Sequence, residues 1–172
     1  MKIVFMGTPD FARCALEKII EAGHDVKLVI VGEKRWWTEP IQRAYDAMGC
    51  KDDVVFVGRL SAEDLHRVTA AALASVYVSY FEGFGIPILE AFKFDTPVIT
   101  SNVTSMPEVA KDAALLVDPF NEDSIAKAMI KVLDDKVRER LIEKGRERAQ
   151  DFSWDKAAEG IWNCLMRSLD ND

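Results

Sequence analysis

The sequence is poor in the residues that build metal centres, dithiol sites and disulfides. Its three cysteines, Cys14, Cys50 and Cys164, are an odd number and lie far apart, and only two histidines occur in 172 residues. No pair of these residues has the spacing of a metal-ligand or redox motif. The sequence therefore favours reduced thiols, a cytoplasmic location and no bound metal.

Long apolar runs and basic blocks are also missing. After Lys2 the first apolar run extends only from Ile3 to Met6, which is too short for a signal-peptide core. No run approaches the ~20 residues of a membrane span. The 22 basic and 29 acidic residues give a net charge of −7. Because neutralising phosphates is the main source of nucleic-acid affinity, we expect this chain to bind no nucleic acid.

Short β-branched runs alternate with amphipathic segments along most of the chain. Most of these runs are continuously apolar, which is typical of parallel strands buried on both faces. The predicted strands are Lys2–Met6, Val26–Val31, Asp53–Val57, Ser75–Ser79, Pro97–Thr100 and Ala114–Val117. The sequence thus predicts an α/β fold, with residues 1–172 forming a single Rossmann-like domain around a doubly wound, six-stranded parallel sheet with C-terminal helices.

The last third of the sequence is helical in pattern. Asn121 is a candidate cap for a helix that extends to about Leu133, and 136–150 is a charged helical stretch. Ser153 is a candidate cap for a terminal helix whose apolar face includes Trp154 and Trp162. This face must be buried on the domain or on a partner, so we expect a homodimer formed through the C-terminal helix.

The segment with the clearest chemistry follows the fourth predicted strand and reads YFEGFGIPILEAF. Gly83 and Gly85 allow the backbone to approach a ligand closely, and the helix that begins behind them offers free N–H groups to a phosphate. Glu82 lies on the loop, whereas Glu90 lies about one turn into the helix and can accept two hydrogen bonds from a ribose diol. On spacing alone, a glycine turn with two solvated glutamates is an equally open interpretation.

This E-x7-E segment resembles the donor-binding motif of retaining glycosyltransferases of family four, which have the GT-B fold of two Rossmann-like domains. The resemblance extends over about residues 26–162 and includes DDVVFVGRLSAEDL before the motif and TPVITSNVTSMPEVAKDAALLVDPFNEDSIAKAM after it. It implies that the chain is the C-terminal, nucleotide-sugar-binding domain of such an enzyme. The reaction implied is hexosyl transfer from an NDP-sugar, which is a substrate, with no further cofactor.

The resemblance also implies a role for individual residues. Glu82 would lie near the hydroxyls of the donor sugar and is the catalytic candidate, whereas Glu90 would bind the ribose. Arg59 and Leu60 would flank the base, although Arg59 can equally be read as an ordinary surface arginine. The implied donor- and nucleotide-binding residues are Arg59, Leu60, Gly83, Phe84, Gly85, Ile86 and Glu90.

The first 25 residues do not fit this family. Their opening, MKIVFMGTPDFA, resembles the start of methionyl-tRNA formyltransferases, and no Arg or Lys occupies the loop where glycosyltransferases grip the diphosphate, since Arg13 is offset onto the following helix. We therefore divide the domain into a formyltransferase-like unit (1–25), a glycosyltransferase-like part (26–150) and a terminal helix (151–172). Without an acceptor domain we expect no catalysis by this chain alone. The alternative is an engineered or recombined chimeric α/β domain that folds and has no enzymatic activity.

Overall fold

A parallel sheet organises the chain in the computed structural model, which describes residues 2–7, 27–33 and 37–169. The strands pair in the order β3-β2-β1-β4-β5-β6, and every neighbouring pair is parallel. The winding direction reverses between β1 and β4, which creates a crevice at the carboxyl ends of these two strands. The strands are β1 (Lys2–Gly7), β2 (Lys27–Val31), β3 (Val54–Gly58), β4 (Ser75–Val78), β5 (Val98–Ser101) and β6 (Ala114–Val117).

Three helices begin at residues whose type and position before a helical pattern predict an N-cap. The side-chain oxygens of Ser61, Asn121 and Ser153 each accept a backbone N–H three residues later, at 3.1 Å. Each bond satisfies one of the donors that a helix start leaves unpaired. The described helices are α1 (Glu39–Asp46), α2 (Ala62–Ala70), α3 (Ile86–Lys93), α4 (Met106–Ala110), α5 (Glu122–Lys131), α6 (Asp135–Ala149) and α7 (Trp154–Leu169).

Helices cover both faces of the sheet, as the continuously apolar strands require. Val76, Val78 and Ile99 point to one face, where they join the buried residues of α5. Val98 and Ala114 point to the other face and pack against α3 and α4. The predicted α/β fold, with helices around a parallel sheet, is therefore confirmed.

Helix α6 is held against α3, the helix that carries Glu90. A Cβ atom at Gly145 would lie 2.8 Å from Cδ1 of Phe92, so the missing side chain lets the aromatic ring lie directly on the α6 backbone. The guanidinium of Arg146 makes two hydrogen bonds to the Asp95 carboxylate just beyond α3, at 2.6 and 2.7 Å. The position of α3 thus depends on packing from the C-terminal part of the chain.

The terminal helix α7 leaves its apolar face open. Trp154 is 85% exposed and Trp162 is 63% exposed, so the face that the sequence predicts is present but lies unburied on the described part of the domain. Self-association through α7 stays a prediction. None of the helices in 37–169 combines the length and apolarity needed to cross a membrane. The predicted first helix and the diphosphate loop, including Arg13, lie outside the described residues.

Candidate functional site

The glycine-rich loop lies at the point where the winding direction of the sheet reverses. Strand β4 ends at Val78, and residues 79–85 form the loop that leads into α3 at Ile86. In doubly wound sheets this place, at the carboxyl ends of the central strands, is where ligands bind. The structure therefore brings five of the predicted site residues together at this edge of the sheet, namely Glu82, Gly83, Phe84, Gly85 and Ile86.

The start of α3 carries no side-chain cap. Gly85 occupies the cap position with a left-handed backbone (φ +99°) and has no side chain that could accept the first N–H groups. Pro87 is the second residue of the helix and has no N–H to donate. The positive end of the helix dipole is left open to an anion at this edge.

Gly83 and Gly85 differ in backbone conformation and in the space around their Cβ positions. Replacing each with alanine is therefore expected to affect stability differently. Gly85→Ala is expected to destabilise the domain by about 1 kcal/mol or more, because its φ is +99° and its Cβ would lie 3.1 Å from Ile88 Cδ1. Gly83→Ala is expected to change stability by less than ~0.5 kcal/mol, because nothing lies within 4 Å of its Cβ position. Urea unfolding of both variants checks this, and equal losses would contradict it.

A second loop, after β5, holds the glycine-rich loop in place. The Ser105 hydroxyl lies 3.0 Å from the carbonyl oxygens of both Glu82 and Phe84 and shares its proton between them. The Glu82 N–H donates to the Thr104 hydroxyl at 3.3 Å, and Thr104 adopts a left-handed backbone (φ +53°) to present it. The support that Ser105 gives to the Glu82 backbone is visible only in the structure.

Removing this support is expected to loosen the glycine-rich loop. Ser105→Ala should lower the free energy of unfolding by about 0.5–1.5 kcal/mol, the net value of one hydrogen bond, and speed amide exchange in residues 79–85. Hydrogen exchange followed by mass spectrometry measures the second effect. Ser168→Ala is the matched control, because its hydroxyl also donates to a backbone carbonyl, that of Cys164 at 3.1 Å in α7. Unchanged exchange in 79–85 would show that Ser105 does not hold the loop.

The carboxylate of Glu82 has a half-buried partner in the sheet. Tyr77 lies on β4 and packs against the α3–α4 side of the core. Burial and a hydrogen bond to Glu82 raise the pKa of the Tyr77 hydroxyl well above its usual value. Tyr77 therefore keeps its proton and orients the half-buried Glu82 side chain. Sequence reasoning missed Tyr77, whose only signal was a hydroxyl-bearing residue within an apolar strand.

Glu90 presents an unpaired carboxylate. It lies on α3 beyond the first helical turn and is half-buried. Within 27–33 and 37–168, no side chain forms an ion pair or hydrogen bond with this carboxylate. A partly desolvated carboxylate without a protein donor is suited to accept hydrogen bonds from a ligand.

Arg59 and Leu60 lie at the same edge of the sheet but further away. They follow β3, and three strand spacings of ~4.8 Å, about 14 Å in all, separate β3 from β4. The loop is tied to its neighbour by the Gly32 N–H, which donates to the Gly58 carbonyl at 2.9 Å. Arg59 is exposed, and it makes no ion pair with any residue that the structure describes. The structure thus brings these two residues to the ligand-binding edge without placing them against the glycine-rich loop.

The described parts of the chain contain no recognisable set of metal ligands. No group of three or more His, Cys, Asp or Glu side chains that could hold an ion occurs in the described parts of the chain.

Comparison with known proteins identifies the family to which this arrangement belongs. Residues 9–148 match the family described as glycosyl transferases group 1. The chain belongs to this family. Its β4-loop-α3 unit, with Glu82 and Glu90 on either side of an open helix start, lies within the residues that match the family.

Individual relatives agree with the family match. The chain is 38% identical over 143 residues to the O-antigen chain mannosyltransferase B of Escherichia coli, covering 83% of this chain and 36% of that protein. It is 34% identical over 162 residues to an uncharacterized glycosyltransferase of Methanocaldococcus jannaschii, covering 91% of this chain and 40% of that protein. Sucrose-phosphate synthase from Thermosynechococcus elongatus superposes with a TM-score of 0.80 at 26% identity, over 99% of this chain and 46% of that chain.

These matches bear on the predicted chimera. The family match begins at residue 9, inside the segment 1–25 that resembles a formyltransferase, and continues without interruption into the rest of the domain. The comparisons therefore give no support to a formyltransferase-like N-terminus or to a chimeric origin. The chain spans 36% and 40% of the lengths of the two relatives, so the activity of a whole enzyme does not follow from the matches alone.

Proposed function

We propose that this chain binds the nucleotide-sugar donor of a retaining glycosyltransferase that transfers a hexosyl group. The observation that carries the proposal is the geometry around the start of α3. An uncapped helix N-terminus, a supported Glu82 and an unpaired Glu90 occur together at the switch point of the sheet. The family membership of the chain supports the same reading.

The proposed roles follow from the position of each group. The diphosphate lies against the start of α3, where the backbone N–H groups of Gly85 and Ile86 and the helix dipole favour negative charge. Gly83 and Phe84 form the approach to it. One helical turn away, Glu90 accepts hydrogen bonds from the two ribose hydroxyls. Arg59 and Leu60, further along the edge, contact the base.

Glu82 is the proposed catalytic residue at the sugar. Its backbone is held by Thr104 and Ser105, and its carboxylate is oriented by Tyr77. A carboxylate held in this way positions the hydroxyls of the donor hexose for transfer. Because the E. coli relative is named as a mannosyltransferase, a mannosyl group is the first hexosyl group to test. We propose that the acceptor is bound outside this domain and that donor binding needs no metal.

Calorimetric titration of the purified chain with UDP, GDP and ADP tests the proposal. We expect saturable binding of one of the three nucleotides and unchanged affinity when EDTA is added. Repeating the titration with the matching NDP-mannose then tests the sugar. The absence of heat with all three nucleotides, in a chain that still unfolds cooperatively, would show that the fold does not bind a donor.

A further inference from the structure

A second concave surface lies along the outer edge of the sheet. It is a groove of about 560 Å³ between β6, α5 and α6. Leu115, Leu116 and Val117 form part of its wall, and helical side chains form the rest. We refer to it as the β6 groove. It is separate from the proposed donor site, because it opens on the side of the sheet, two strand spacings or about 10 Å from β4.

The β6 groove is lined by cations from two helices. Lys127 and Lys131 are four residues apart on α5, and Arg140 and Lys144 are four residues apart on α6, so each pair shares one helix face. The one carboxylate in the lining, that of Asp112, is paired with Lys144. In a chain with a net charge of −7, this concentration of positive charge favours an anionic ligand at this edge.

The strand beside these cations has an open edge. Strand β6 is the last of the sheet and pairs only with β5 among the strands that the structure describes. The Val117 carbonyl accepts the Asn102 N–H at 2.8 Å, so Val117 faces β5 and the alternating residue Leu116 faces outward. No described group pairs with the outward N–H and C=O of Leu116, whose side chain is also exposed. Such an edge can receive an additional strand.

We propose that the β6 groove binds an extended acidic segment of a partner protein. The segment adds to β6 through the N–H and C=O of Leu116, and its carboxylates reach Lys127, Lys131 and Arg140. The observations favour a peptide over a membrane, because the cations surround a concave strand edge that a flat lipid surface would not fill. The peptide backbone also forms hydrogen bonds with both the N–H and the C=O of Leu116. A lipid headgroup has no regularly spaced donors and acceptors that could pair with both groups.

Fluorescence anisotropy with a labelled eight-residue peptide of alternating glutamate and valine tests this proposal on the full chain. We expect saturable binding that weakens with salt and falls about tenfold or more in Lys127→Glu/Lys131→Glu. Lys93→Glu/Lys136→Glu is the matched control, since it changes the charge equally at two exposed lysines outside the β6 groove. Its affinity is expected to stay within about twofold of the original chain.

A second pair of measurements separates strand addition from charge attraction. The bound glutamate–valine peptide is expected to slow amide exchange at Leu116. A peptide with the same glutamates and proline in place of valine should bind about tenfold more weakly, because proline cannot donate to a strand. Equal binding of the two peptides, or equal losses in the two lysine variants, would overturn the proposal. Binding of phosphatidylglycerol vesicles without binding of the peptide would also overturn it and assign the groove to a membrane.

Discussion

Replacing Glu90 with alanine is expected to weaken nucleotide binding about 10- to 150-fold. A hydrogen bond to a charged group contributes about 1.5–3 kcal/mol, and 1.4 kcal/mol corresponds to a factor of ten in affinity. Glu90 is half-buried and has no described protein donor, so a ligand that supplies two hydroxyls gains these bonds without breaking others. This expected loss of affinity corresponds to one such hydrogen bond, because hydrogen bonds to water compensate for part of the loss of the second. Titration calorimetry with the nucleotide that binds best measures the effect.

The controls for this prediction separate charge from shape. Glu90→Gln keeps one acceptor oxygen and should lose less affinity than the alanine variant. Glu159→Ala removes an exposed glutamate from α7, far along the chain, and should leave the affinity unchanged. The thermal unfolding midpoints of all three variants are expected to stay close to that of the original chain, since no described side chain bonds the Glu90 carboxylate. Unaltered nucleotide affinity in Glu90→Ala would show that Glu90 does not bind the ribose.

Replacing Phe92 with alanine is expected to lower the free energy of unfolding by about 3–5 kcal/mol. Phe92 is 2% exposed and lies between α3 and α6, with its ring on the backbone of Gly145. The shorter side chain leaves a cavity that neither helix can close, because α6 is also tied to Asp95 by Arg146. Native domains are stable by only about 5–15 kcal/mol, so this is a large part of the total. Urea unfolding measures the loss.

An exposed phenylalanine provides the matched control. Phe81 is 77% exposed on the glycine-rich loop, and Phe81→Ala is expected to change stability by less than ~0.5 kcal/mol. Phe92→Leu keeps most of the buried volume and should cost less than the alanine variant. A loss below about 1 kcal/mol in Phe92→Ala would mean that α6 does not pack firmly on α3.

Much of the fold could be predicted because its signals are local. Burial on both faces makes parallel strands continuously apolar, and the observed bounds of β5 and β6 differ from the predicted ones by at most one residue. Capping is equally local, since Ser61 and Asn121 bond the N–H three residues ahead. The comparisons give no support to the formyltransferase resemblance, because a short strand, turn and helix start is a pattern that many α/β domains share.

The candidate site likewise contains residues whose proximity the sequence predicts and residues whose contacts it does not. Glu82, Gly85 and Glu90 lie within one strand–loop–helix unit, so their proximity follows from the sequence itself. Ser105 could not be predicted, because it reaches the Glu82 backbone from the loop after β5. Tyr77 could not be predicted either, because its contact with Glu82 depends on the path of the loop between them. The exposure of Trp162 is also a tertiary result. A helix pattern shows that an apolar face exists but not what it meets.

The sequence by itself determined the α/β class, the positions of strands and caps, and the glycine-rich segment between β4 and α3. Only the tertiary structure decided that Ser105 supports the loop of Glu82, that Gly145 receives the ring of Phe92, and that two lysines of α5 face the open edge of β6. The physical reason is the separation along the chain over which each interaction acts. Periodicity, capping and turn chemistry act over a few residues. Which strand is the edge, and which helices flank it, depends on the winding order of the whole sheet.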